Sequence, residues 1–225
     1  MLRNLWHHFL LITRHRHKVI AHCKQAGILW QGLRHDLSKY SPTEFIPGVK
    51  YYQGNRSPNE KEREILGYSL AWLHHKGRNR HHFEYWTDYN PVEKKVMPVK
   101  MPARFLVEMF CDRLAASKIY KGEQYTDQAP LEYFQNSTAR KNGCLHPETE
   151  RQLMQLLEIL AKEGEPAAFA ASRALLKAEK QQKKKEHSPY AIGNSKSDTG
   201  ICHRFRLCRW SNQQRLFGSC WNWTE

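Results

Sequence analysis

Histidine is the residue type whose distribution in this sequence points to chemistry. Ten of the 13 histidines lie between His7 and His82. Within this stretch His35 and Asp36 are adjacent, and Lys39 follows one helical turn after His35. Neighbouring imidazole and carboxylate groups can bind one divalent ion, and a nearby ammonium group can bind phosphate. The pair is therefore a candidate metal site, although an isolated His-Asp dipeptide is equally well explained by packing and ion pairing.

Further candidate ligands lie on either side of this pair. His15 and His22 flank Val19 at helical spacing, which places both imidazoles on the apolar face of the first predicted helix. Downstream, a short segment contains four histidines and two arginines: His74, His75, Arg78, Arg80, His81 and His82. A histidine-rich surface patch is one explanation. Because Trp72 and Trp86 bracket the segment, we favour inward-facing imidazoles that bind metal, with the arginines facing an anionic substrate.

Carboxylates complete the set of candidates. Asp112 lies on a predicted helix among small residues, which would let this helix approach the histidines, although pairing of Asp112 with Arg113 is an alternative. Glu44 and Glu84 are candidate general bases. All the proposed ligands are nitrogen or oxygen donors. This donor set favours one or two catalytic Mn, Fe, Co, Ni or Zn ions over a structural zinc site.

The elements that must position these residues are predicted to be helices. Ser41-Pro42-Thr43-Glu44 and Ser57-Pro58-Asn59-Glu60 each combine a capping serine, a proline at the first helical position and a glutamate three residues after the cap. A later apolar stripe has helical spacing and consists of Leu153, Leu156, Leu157 and Leu160. We therefore expect an all-α fold of about six or seven helices.

Charge and length suggest three parts within the 225 residues. We predict a metal-binding helical domain over residues 1–165, a charged and solvated helix over 166–187, and a poorly ordered basic tail over 188–225. The net charge of +14 favours anionic partners such as nucleotides or nucleic acid. The tail contributes basic residues and tryptophans that could contact phosphate and stack on bases.

Cysteine usage and hydropathy bear on the cellular compartment. The six cysteines form no CxxC pair, so neither a disulfide framework nor a thiolate zinc finger is indicated. The early apolar run Phe9–Ile12 is too short for a signal peptide or a membrane span. We expect a cytoplasmic protein that does not bind membranes.

The series His15, His35-Asp36 and Asp112, with HDxxK at its centre, resembles the HD superfamily of metal-dependent phosphohydrolases. The chain resembles more closely an uncharacterised bacterial and phage family with HDLSKxSPxEF, WLHHxxRNxHHxEYW and LHPET signatures. The superfamily resemblance implies an HD-like helical bundle whose metal ligands fall on these four residues, with His22 as an alternative first ligand. It also implies that two-metal members supply extra histidines at the positions of His74, His75, His81 and His82.

The resemblance implies hydrolysis of a phosphomonoester, a phosphodiester or a nucleotide. In that case Lys39, Arg78 and Arg80 would neutralise substrate charge, and Glu44 or Glu84 would act as the base. Two alternatives belong to other functional classes. One is a basic nucleic-acid-binding protein, and the other is a metal-binding scaffold that retains metal without hydrolysing any substrate.

Overall fold

The computed structural model describes residues 2–54 and 56–186, and within these residues the chain forms ten α-helices and one short β-hairpin. The helices are α1 (Leu2–Gln25), α2 (Leu29–Gly32), α3 (Pro42–Lys50), α4 (Pro58–Leu66), α5 (Leu70–Arg78), α6 (Ala103–Lys121), α7 (Ala129–Asn136), α8 (Thr138–Lys141), α9 (Pro147–Glu163) and α10 (Glu165–Glu186). The predicted all-α class is confirmed. The predicted basic tail lies outside the described residues.

Shorter elements connect these helices. The hairpin pairs β1 (Thr87–Asn90) with β2 (Lys95–Pro98) in antiparallel register, with Thr87 opposite Pro98. Single turns of 3-10 helix occupy Leu37–Tyr40, Phe83–Tyr85 and Gly122–Gln124. Among the described helices, none has the length and apolar character needed to cross a lipid bilayer.

The two Ser-Pro signatures start helices at the predicted positions. Pro42 begins α3 and Pro58 begins α4, each preceded by a serine in extended conformation. Neither of these serines accepts a side-chain capping hydrogen bond. At α3 the glutamate of the signature, Glu44, is instead buried against the histidines of α5. Proline with its fixed φ is therefore the feature that correctly located these helix starts.

The core lies where α1, α6, α9 and α10 pack together. The predicted leucine stripe is buried in α9. Helix α10 was predicted to be solvated, but its first half is buried through Ala168, Phe169 and Ser172. Because these small and aromatic side chains pack against the core, α10 belongs to the same compact unit as the helices before it. Its lysine-rich second half is exposed, as expected.

Helix packing brings the candidate site residues together. Helix α1 packs against α6 and α2, and α3 packs against α5. The contact between α1 and α2 is close, because a Cβ atom added at Gly32 would lie 2.5 Å from Cβ of Cys23. This contact holds the turn that follows α2, which carries His35 and Asp36, against α1.

Candidate metal centre

Residues from α1, α5, α6 and two connecting segments form one largely buried cluster of imidazoles and carboxylates. Four potential ligands, which we call group A, are His15, His35, Asp36 and Asp112. Four others, which we call group B, are Asp36, His75, His81 and His82. Within each group the potential ligand atoms lie within 4.8 Å of one another. Asp36 belongs to both groups, so the two sites share one carboxylate.

Asp36 occupies the centre of the cluster. Its Oδ1 lies 3.3 Å from Nε2 of His75 and 3.5 Å from Nε2 of His81. Its Oδ2 lies 3.3 Å from Nε2 of His35 and 2.7 Å from Nζ of Lys39. The backbone of Asp36 has φ of 53°, a left-handed conformation that is uncommon outside glycine. Such conformations concentrate at functional sites, and here the conformation accompanies a side chain that faces both groups.

Group A joins α1 to α6. Oδ1 of Asp112 lies 2.9 Å from Nε2 of His15 and 3.6 Å from Nε2 of His35. Burial would raise the pKa of Asp112, but the hydrogen bond from His15 and the nearby His35 hold it well below its usual value. Burial would lower the pKa of His35, but Asp36 and the other adjacent carboxylates raise it well above its usual value. The two carboxylates of group A therefore favour a positive charge between them, which a bound cation would supply in place of the proton on His35.

Three of the four potential ligands in group B are imidazoles. Nε2 of His82 lies 2.8 Å from Nε2 of His75, and the rings of His81 and His82 are 4.1 Å apart. Burial, followed by the charges of His81 and His75, holds the pKa of His82 well below its usual value. A neutral imidazole is the form that binds a metal ion.

Several buried atoms of the cluster that could bind a metal form no hydrogen bond. They are Nε2 of His35, Nε2 of His81 and both carboxylate oxygens of Asp36, of which Oδ2 also faces Nζ of Lys39. Buried polar atoms are normally paired, because desolvation without a partner is costly. A divalent ion in each group would provide that partner. The residues present therefore fit one or two such ions.

Two buried glutamates support the ligands from outside. Glu44 accepts hydrogen bonds from Nδ1 of His74 over 2.6 Å and from Nδ1 of His75 over 2.7 Å. Burial would raise the pKa of Glu44, but the hydrogen bond from His75 and its other partners lower it. The carboxylate of Glu44 faces Nδ1 of His75, whereas Asp36 faces Nε2 of the same ring. The ring of His75 therefore lies between Glu44 and the ligand atoms of group B. This geometry fits orientation of His75 and not the predicted role of general base.

Glu108 on α6 is the second supporting glutamate, and it is not among the site residues predicted from the sequence. Its Oε1 accepts a hydrogen bond from Nδ1 of His35 over 2.9 Å and lies 3.3 Å from Nδ1 of His81. Burial would raise the pKa of Glu108, but these histidines lower it to about 2. The available signal was its spacing, because Glu108 lies one helical turn before Asp112 and so shares its face.

Two of the predicted metal ligands lie outside both groups. His22 has Nδ1 3.2 Å from the carbonyl oxygen of Cys111 and Nε2 3.2 Å from Nζ of Lys118. Burial, followed by the charge of Lys118, lowers the pKa of His22 to about 4. His74 donates to Glu44 and also lies outside the groups. Of the two rivals for the first ligand position, the structure therefore brings His15, and not His22, to the cluster.

The residues predicted to contact substrate or to act as base occupy different environments. Lys39 is 30% exposed at its side chain, and its ion pair with Asp36 raises its pKa against the effect of burial. Arg78 is exposed at the end of α5, and the guanidinium of Arg80 lies over the ring of Tyr85. Glu84 lies outside the ligand groups, and burial raises its pKa.

The fold and the cluster define an all-α protein with histidine, aspartate and glutamate side chains placed to hold a metal ion. The chain belongs to a family of unknown function, DUF5662, which matches residues 4–159. Both ligand groups lie inside the matched span. No match is found among curated proteins or among solved structures. The expectation of an uncharacterised family is thus confirmed, whereas the likeness to the HD superfamily rests on the motifs alone.

Proposed function

We propose that this protein is a metal-dependent phosphohydrolase whose two adjacent metal sites share Asp36. The observation that carries the proposal is the meeting of two groups of ligands at one buried carboxylate. Unpaired, buried nitrogens of His35 and His81 face the same carboxylate. The HDxxK motif and the resemblance to HD phosphohydrolases favour phosphate hydrolysis as the reaction.

The ligand chemistry limits the metals. Group A would supply two imidazoles and two carboxylates, and group B would supply three imidazoles and the shared carboxylate. The buried thiols of Cys23 and Cys111 belong to neither group. Nitrogen and oxygen donors of this kind suit Mn, Fe, Co, Ni or Zn. When bound, such ions lower the pKa of a coordinated water and polarise a phosphoryl oxygen.

The protein's own side chains would place the substrate. Lys39 lies between buried Asp36 and solvent, so its ammonium group can contact a substrate phosphate while remaining next to the ligands. Arg78 follows His75 by three residues on α5 and is exposed, so it is the candidate for a second contact with phosphate. These cations favour a phosphomonoester, a phosphodiester or a nucleotide as substrate.

Solvent access favours an enzyme with substrate entering at group A. The side chains of His15 and Asp112 are 12% and 18% exposed, whereas His75 and Asp36 are each 2% exposed. A surface hollow of about 540 Å³ lies elsewhere, on α9. Two of its charged residues, Arg140 and Glu150, already pair with each other, and among the described residues it holds no group of potential metal ligands, so it is a poorer candidate. The deep burial of group B also favours a second candidate function, a scaffold that binds metal without catalysis.

The test combines metal analysis with hydrolysis. The full chain is stripped with a chelator and reloaded separately with Mn, Fe, Co, Ni and Zn. Each form is then assayed on p-nitrophenyl phosphate, bis(p-nitrophenyl) phosphate and a nucleotide panel. We expect up to about two bound ions and metal-dependent hydrolysis. Metal retention with no hydrolysis would support the scaffold, and absence of metal would refute both functions.

Two matched variants locate the site. Asp36→Asn keeps a residue type that tolerates the left-handed backbone but removes the shared anionic ligand, so metal and hydrolysis should both be lost. His17 is exposed on α1, two residues from His15, and His17→Gln should keep both. Wild-type metal content in Asp36→Asn would contradict the proposed site.

A further inference from the structure

One oxygen of Glu108 contacts histidines that belong to different ligand groups. Nδ1 of His35, in group A, donates to Oε1 over 2.9 Å, and Nδ1 of His81, in group B, lies 3.3 Å from the same atom. Each of these rings directs its other nitrogen, Nε2, toward Asp36. The two rings are 4.4 Å apart. Glu108 and Asp36 therefore hold one pair of imidazoles from opposite sides.

Glu108 is itself held in place. Its side chain is 6% exposed, and the side-chain amide of Gln31 donates to Oε2. The same amide lies 3.1 Å from the carbonyl oxygen of Arg104, one turn earlier on α6. With Oε2 engaged, Oε1 remains for the two histidines. The carboxylate has little freedom to move toward one ring without leaving the other.

We propose that Glu108 is a positioning residue that couples the two metal sites and makes the binding of two ions cooperative. The inference rests on the metal centre of the proposed function and does not depend on hydrolysis. By accepting Nδ1–H from both rings, Glu108 keeps both Nε2 lone pairs available toward Asp36. An ion at group A fixes His35 and through it Glu108, which fixes His81 for an ion at group B.

Glu44 provides the contrast that makes the inference testable. Like Glu108, it is a buried glutamate that accepts hydrogen bonds from two histidines. Only one of them, His75, belongs to a ligand group, and that group is B. Loss of the charge on Glu44 should therefore affect one site, whereas loss of the charge on Glu108 should affect both.

Direct ligation by Glu108 is the competing explanation, because Glu108, His35 and His81 are themselves close enough to hold an ion. That arrangement would use the Nδ1 atoms of both rings. The same rings would then have to bind ions through both nitrogens to serve groups A and B. With Nδ1 directed to Glu108, each ring has only Nε2 left to bind an ion, and that nitrogen loses any proton when the ion binds.

The experiment is a titration of the full-length apoprotein with Co²⁺. Binding is measured by calorimetry and by the visible absorption of the bound ion. For the wild type we expect two ions and a Hill coefficient above one. Glu108→Gln should still bind two ions, each about 10- to 100-fold more weakly and without cooperativity. Glu44→Gln should weaken one ion only. Glu108→Asp, which keeps the charge on a shorter side chain, should fall between the wild type and Glu108→Gln.

Other results would contradict either this inference or the proposed function. Wild-type affinities and cooperativity in both Glu108 variants would overturn the inference, as would non-cooperative binding by the wild type. Loss of one ion with unchanged affinity for the other would identify Glu108 as a ligand and overturn it too. If the variants behave as expected but the loaded wild type hydrolyses nothing, the phosphohydrolase proposal fails and the coupling stands. Circular dichroism checks that each variant is folded.

Discussion

Nε2 of His75 and Nε2 of His82 lie 2.8 Å apart, with Oδ1 of Asp36 3.3 Å from the first of them. Without an ion, two neutral imidazoles at this distance must share a single proton. With an ion, both nitrogens can direct their lone pairs to it. The low pKa of His82, caused by burial and then by the neighbouring histidines, favours the neutral form that the second arrangement requires.

His82 and His74 should therefore respond differently to substitution. His82→Ala removes one donor from group B, so we expect bound metal to fall from about two ions to about one. His74 contacts Glu44 and lies outside the groups, so His74→Ala should keep both ions. Elemental analysis of the two reloaded variants checks this. An unchanged metal content in His82→Ala would remove His82 from the site.

His15 and His22 provide the same comparison on α1. His15→Gln removes the imidazole that faces Asp112 and should lose the ion of group A. His22 instead faces Cys111 and Lys118, so His22→Gln should retain the metal content of the wild type. Metal content and the visible spectrum of the Co²⁺ form measure both. The opposite pattern would make His22 the first ligand.

Much of this architecture was accessible from the sequence because its signals are local. Proline at the first helical position located α3 and α4, and leucine spacing located the buried face of α9. The packing of α10 was missed, since Ala168 and Phe169 form too short an apolar stretch beside the lysine-rich half. Burial of such a segment depends on what the rest of the chain presents to it.

The cluster was less accessible because its contacts are distant in sequence. His15 and Asp112 are 97 residues apart and yet lie 2.9 Å from each other, and only the resemblance to a known motif joined them. The loop after α5 decides which histidines point inward, and spacing does not encode that turn. Glu108 was overlooked because a helical glutamate is ordinarily exposed.

Two buried histidines outside the ligand groups predict a loss of stability in acid. Burial, with smaller effects of nearby lysines, lowers the pKa of His8 and of His22 to about 4. The unfolded chain therefore binds more protons between about pH 6.5 and pH 4. Each imidazole contributes its full stabilisation above pH 6.5, which is about the pKa of histidine in the unfolded chain. As the pH falls toward 4, the free energy of unfolding decreases by about 2 to 3 kcal/mol for each of them.

Urea unfolding of the apoprotein from pH 7.5 to 4.5 measures this effect. Other groups titrate in the same range, so the informative quantity is the difference between the wild type and a variant. His22→Gln should lose less stability than the wild type over this interval, because it has no imidazole to protonate. Parallel pH profiles for the two proteins would show that folding does not change the pKa of His22, and would contradict the prediction.

Two glycines should respond oppositely to alanine. A Cβ atom at Gly48 on α3 would lie 2.2 Å from Nε2 of His8, so Gly48→Ala should destabilise the protein by about 1 to 3 kcal/mol. Gly77 on α5 has nothing within 4 Å of that position, so Gly77→Ala should stabilise by about 0.5 to 1 kcal/mol. Urea unfolding at pH 7.5 measures both. Equal effects of the two substitutions would contradict the close packing of α1 on α3.

Lys39 and Asp36 provide the last comparison, between an ammonium group and a metal ion as partners of one buried carboxylate. Nζ of Lys39 lies 2.7 Å from Oδ2 of Asp36. In the apoprotein, Lys39→Met leaves that buried charge with less compensation, which costs about 3 kcal/mol for a buried pair. A bound cation would restore the compensation. The melting temperature of Lys39→Met should therefore be below that of the wild type without metal and close to it with saturating metal.

The same variant separates binding of metal from binding of substrate. Because Lys39 is not in either ligand group, Lys39→Met should keep its ions but hydrolyse phosphate esters with kcat/KM about 10- to 100-fold lower, through loss of a cation that contacts phosphate. Lys50→Met is the matched control, since Lys50 is exposed at the end of α3 and lies over the ring of Tyr51. Wild-type kcat/KM in Lys39→Met would contradict the substrate contact. An equal loss of melting temperature with and without metal would show that the ammonium group of Lys39 and the ion do not compensate the same charge.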